Sequence, residues 1–152
     1  MKNKEIYWIV GTFVSVIILT LAIFGLDGFK SDSNIHINIY DTFYVIPNVH
    51  VVILLSVFVF FTVYLIRTVR NLFKSIMANL VLIIATIVFV VVLGKTIGML
   101  DLFSGPPNNE SLAENTLKII SHILFTAQLV LLVALAYFGF RTGQNYYIEK
   151  TQ

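Results

Sequence analysis

The chain's chemistry-bearing side chains are few. Of 152 residues, three are histidine (His36, His50 and His122) and none is cysteine. Disulfides, thiolate metal sites and cysteine nucleophiles are thereby excluded. His50 closes an unusually polar stretch, "NIYDTFYVIPNVHVV" (residues 38–52), which sets Asp41, Tyr44, Pro47, Asn48 and His50 at the mouth of a long apolar run. His122, Lys95 in "VVLGKTIGML" and Gln128 interrupt other apolar runs. Imidazoles on two facing helices are the usual axial ligands of a low-spin heme. A lone Asp is a weak metal candidate. A Lys or Gln within an apolar run must snorkel, pair or bond to a neighbouring helix.

The elements that carry these residues follow from composition. The chain is 58% hydrophobic and 12% charged, against about half and a quarter in soluble domains. Its net charge of +2 points to no nucleic-acid partner. Apolar runs at about 7–26, 43–66, 76–100 and 117–140 are each long enough to cross a hydrocarbon layer as a helix. They are apolar on all faces, unlike the alternating strands of a membrane barrel. The first run follows Lys2 and Lys4 but lacks a cleavage site and is read as a retained span. Basic residues fall at the N-terminus, in the 67–75 loop (Arg67, Arg70, Lys74) and after the last run (Arg141, Lys150), whereas loops 27–42 and 101–116 are acidic. The positive-inside rule then puts both termini in the cytoplasm. The expectation is an all-α integral membrane protein. It is a single domain, a four-transmembrane-helix bundle with both termini cytoplasmic, in the cell (inner) membrane and in contact with the lipid bilayer.

Finer features attach to this frame. "NIHINIY" alternates Ile with polar residues, which suggests a short extended segment. Pro47 biases Ile46 away from helical geometry and suits a first helical turn. Span two therefore starts near Pro47, or starts earlier and bends there. Lys95 snorkels, or pairs with Asp101 or Asp41. Gly94 and Gly98 have the small-xxx-small spacing of close helix contacts. Gln128 should hydrogen-bond to another helix, because an unpaired amide at mid-span is costly. Asn109-Glu-Ser111 matches a glycosylation acceptor. No span carries a carboxylate at mid-depth, which argues against proton-coupled transport.

Residues 40–52, "YDTFYVIPNVHVV", resemble the signature at the outer end of the tenth helix of heme-copper oxidase subunit I, close to H-D-T-Y-[YF]-V-[VI]-A-H-F-H-[YL]-V. In that family the first His and the Asp help hold a non-redox magnesium, and the two later histidines ligate the high-spin and low-spin hemes. Carried over, the resemblance keeps Asp41 but puts Tyr40 in place of the magnesium His. It puts Asn48, a poor iron ligand, at the high-spin heme position, and keeps His50 at the low-spin position. Pro47 replaces a small residue. The copper-binding histidine motifs of the family are absent, so the resemblance implies a divergent or fragmentary relative that cannot build the oxygen-reducing site.

If span two starts at 43, His50 lies roughly 10 Å and His122 roughly 8 Å below the same surface, at 1.5 Å per residue. They are therefore the candidate axial pair for a b-type heme. Three functions remain in view. The first is a non-catalytic, structural or accessory membrane protein, associated with a respiratory complex through the resemblance and holding no cofactor. The second is a heme-binding electron-transfer protein using His50 and His122. The third is a small channel or transporter using Lys95 and Gln128.

Overall fold

The computed structural model describes residues 2–30, 32–40, 42–104 and 112–151. Asp41 and the Asn109–Ser111 acceptor lie outside the described residues. Of the described residues 84% are helical. Four long helices, α1 (Lys2–Phe24), α2 (Asn48–Arg70), α3 (Ile76–Phe103) and α4 (Leu112–Thr151), are each long and apolar enough to cross a membrane. Each expected apolar run is helical over most of its length, but residues 43–47 of the second belong to a strand, and α4 runs well beyond residues 117–140. One part of the all-α expectation needs refinement: an antiparallel hairpin, β1 (Asn34–Ile39) and β2 (Thr42–Pro47), stands between α1 and α2.

Local chemistry sets the breaks between elements. Gly25 adopts φ +60° at the end of α1, the left-handed conformation that commonly ends helices. A 3-10 turn follows at Gly25–Phe29. Pro47 is extended (φ −58°, ψ 131°) and α2 starts at the next residue. Of the two starts open for this helix, the structure has the one at the proline. The hairpin pairs Ile39 with Thr42 and Asn34 with Pro47, so two residues connect the strands, and Tyr40 takes a left-handed φ of 54°. One hairpin face packs down: Tyr44 is buried, its ring edge-on to Phe103 at 5.7 Å. The opposite face exposes His36, Phe43 and Val45. At the other end of α2, Leu72 and Phe73 are both left-handed (φ 50° and 62°). The Phe73 N–H donates to Thr68 O at 3.0 Å, closing the helix terminus before Ser75 caps α3 through its hydroxyl and the Ala78 N–H.

The helices pack in chain order, α1 on α2, α2 on α3 and α3 on α4, with no substantial α1–α4 interface among the described residues. This is an open row rather than a closed bundle. α3 is the most enclosed helix. Two apolar clusters hold it: Tyr64, Phe73, Ala78, Leu82 and Phe138 near the basic 67–75 loop, and Phe89, Leu93 and Leu131 nearer the hairpin end. α1 is pinned to the rest partly through the 3-10 turn. Gly28 is buried there, and a Cβ on it would lie 2.8 Å from Thr20 Cγ2 and 2.9 Å from Phe24 Cβ. Gly28→Val should therefore overpack the turn, cost about 1–3 kcal/mol and lower the thermal midpoint of the detergent-solubilised protein. An unchanged midpoint would show that Thr20 and Phe24 move aside freely.

Candidate functional site

The polar stretch at the start of α2 divides into a latch and a groove. Asn48 is buried. Its backbone N–H donates to Ser33 O at 3.0 Å and its side-chain Nδ2 to Asp27 O at 3.3 Å. Through this residue the start of α2 is fastened to the turn after α1. Asp27 also pairs with exposed Lys30 at 2.6 Å. That hydrogen bond, together with the carboxylate's charge, holds the Lys30 ammonium pKa above its ordinary value.

His50 is exposed and lines a groove of about 400 Å³ between α2 and α3. Lys95 of α3 lines the same groove, with Leu54, Val91, Val92 and Met99 among its walls. Of the two expected ion-pair partners, Asp41 lies outside the described residues and Asp101 does not engage Lys95, which makes no ion pair with any described residue. The Asp101 carboxylate instead accepts from the Ser121 hydroxyl at 2.8 Å, tying α3 to α4. Thr96, also in the groove, donates its hydroxyl to Val92 O of its own helix at 3.0 Å.

His122 lies elsewhere. Its Nδ1 is 2.8 Å from Lys118 O of the preceding turn, and it lines an open depression formed by α4 alone. His50 and His122 thus border separate cavities on the two helices that flank α3. Among the described residues no group of three or more His, Asp or Glu side chains is placed to hold a metal.

Gln128 makes the interhelical bond that its depth demands, with Nε2 donating to Val90 O of α3 at 3.1 Å. Of the two spaced glycines, Gly94 serves this contact: a Cβ there would meet Gln128 Nε2 at 3.2 Å, whereas Gly98 faces open space.

The most elaborate polar assembly sits at the basic end and is not apparent in the sequence. Arg67 donates to Glu5 at 2.6 Å, with side chains only 10% and 15% exposed. Ser75 Oγ donates to the same carboxylate oxygen at 3.0 Å. The Arg67 guanidinium also lies 4.9 Å from the Trp8 ring centre and 5.9 Å from that of Tyr64. Alongside, Asn79 and Asn145 both donate their amide nitrogens to Phe73 O at 2.8 Å, so one carbonyl gathers α3 and α4. Glu5 and Arg67 stand 62 residues apart, and no local pattern links them. In the sequence Arg67 counts only as a loop cation.

No family model, curated protein or solved structure matches the chain.

Two measurements probe these contacts. Glu5→Ala or Arg67→Ala each strands the other buried charge and should cost about 3–5 kcal/mol. The double variant should lose clearly less than the sum, and additive losses would show that the pair is not coupled. Gln128→Leu removes one interhelical hydrogen bond and should cost only about 0.6–1.7 kcal/mol in a thermal or denaturant titration in detergent.

Proposed function

We propose that the chain is a multi-pass integral membrane protein of the cell membrane with a non-catalytic, structural or accessory role. The observation that carries this reading is the use made of polar side chains within the long apolar helices. Asn48, Gln128, Glu5, Arg67 and Ser121 each bond one element to another, and Ser75 and Asn79 fasten the 71–75 loop to α1 and α3. They act as fasteners between helices. The open row supports the same reading. Large apolar side chains such as Phe13 and Ile18 of α1 and Val130 and Val133 of α4 are uncovered, and in lipid such faces need no protein cover. The distribution of Lys and Arg supports a cytoplasmic placement of both termini. Association with a respiratory complex is the specific form of the role, and it rests on the resemblance of residues 40–52 to oxidase subunit I.

The cysteine-free sequence makes a direct test simple. Asn34→Cys and Lys74→Cys place single thiols at exposed positions at opposite ends of the row. In intact cells an impermeant maleimide should label the first and reach the second only after permeabilisation. The native protein should co-migrate with larger membrane complexes on native gels and give a flat reduced-minus-oxidised spectrum. A b-type band lost in His50→Ala or His122→Ala would replace the accessory reading with electron transfer.

A further inference from the structure

The groove between α2 and α3 has a composition that membrane packing alone does not call for. Its walls are aliphatic, yet Lys95 and His50 both border it. Lys95 lies eight residues before the last residue of α3, Phe103, roughly 12 Å along the helix. A cation at such depth must snorkel to the interface or find a partner, and no described carboxylate pairs with it. The neighbouring Thr96 hydroxyl is already bonded to its own helix and faces no such demand. Among the described residues the groove thus supplies a cation, an imidazole and an apolar channel, but no anion.

From this charge complementarity we infer that the groove binds a long-chain carboxylate, the anion of a fatty acid. Its head sits between Lys95 and His50 and its chain runs along Leu54, Val91 and Val92. α2 and α3 run in opposite directions. Residues after His50 and residues before Lys95 therefore both lie toward the basic end, and these three form an apolar path on one side of the polar pair. On the other side Ile46, Met99 and Leu100 line the groove, so the head group meets apolar walls above as well as below. A carboxylate ends at its two oxygens and fits this enclosure. A phosphodiester would press its further substituents and second chain against those apolar residues. The volume of about 400 Å³ lies within the ordinary range of small-ligand sites, about 300–1,000 Å³.

The inference rests on the reading that the helices lie in a bilayer. A chain recovered in the soluble fraction would defeat that reading and is scored separately, by membrane fractionation before any binding assay. The binding test uses the full chain in phosphatidylcholine nanodiscs with radiolabelled palmitate. Saturable binding near one palmitate per chain is expected, weakened about tenfold or more by Lys95→Met and largely kept by Lys95→Arg. Val92→Phe fills the groove without touching the charge and should also abolish binding. Because Lys95 is exposed, the Lys95 variants should keep the parent's thermal midpoint. Unsaturable binding, binding unchanged in Lys95→Met, or displacement of palmitate by uncharged hexadecanol as effective as by unlabelled palmitate would overturn the proposal. So would displacement by phosphatidylglycerol at lower concentration than by unlabelled palmitate, which would make the occupant a phospholipid.

Discussion

The ion pair between Glu5 and Arg67 is the contact on which the arrangement of the row depends. It joins the first turns of α1 to the last turn of α2, and through Ser75 it reaches the start of α3. α1 has little else to hold it, since its packing is confined mainly to α2 and the 3-10 turn. In the bilayer proposed for these helices no hydrophobic force drives them together, so directional polar bonds and close packing set the register. α1 is held in this way at both ends, by Glu5–Arg67 at one and by the Asn48–Asp27 latch at the other. Burial of the pair favours strong coupling but makes either member alone a liability. The rings of Trp8 and Tyr64 beside Arg67 add cation–π attraction in a place water does not easily reach.

α2, α3 and α4 are joined differently. Their contacts are dominated by side-chain packing, with Phe58 and Phe61 of α2 both against Phe89 of α3 and Leu131 of α4 in the same cluster. Single polar bonds punctuate this packing: Gln128 to Val90, Ser121 to Asp101, and two asparagine amides on the Phe73 carbonyl. That carbonyl is displayed by a left-handed pair, Leu72 and Phe73, a conformation that L side chains disfavour. The strained corner is thus surrounded by the bonds that hold it. At the opposite end no comparable closure exists between α2 and α3, and the groove bordered by His50 and Lys95 opens there.

Much of this was legible in the chain. Four long apolar runs can only be helices, because backbone groups in an apolar medium must pair within the segment. Pro47 marked either the start of α2 or a bend within it, by its fixed φ and missing N–H, and the structure has the start. Gln128 had to find a partner on another helix. The alternation of Ile with polar residues at 34–39 was a legible extended segment. Its closure into a hairpin was not, because Tyr40-Asp41 carries neither the Gly nor the Asn that announces a two-residue turn.

What the sequence by itself determined is therefore the local inventory: helix number, helix breaks, the sign of charge at each end, and which polar groups needed partners. These follow from interactions within a few residues or with the surrounding solvent. Which partner each group found was decided only by tertiary structure. Counting from an expected start at 43 placed His50 at the level of His122, but α2 starts at Asn48, so His50 falls in its first turn while His122 lies well inside α4, and the two line different cavities. Packing of α2 on α3 set Lys95 and His50 on one groove, and packing across 62 residues brought Glu5 to Arg67. Depth is additive along a chain and can be counted. Azimuth depends on the packing of every neighbouring helix at once, and no local pattern encodes it.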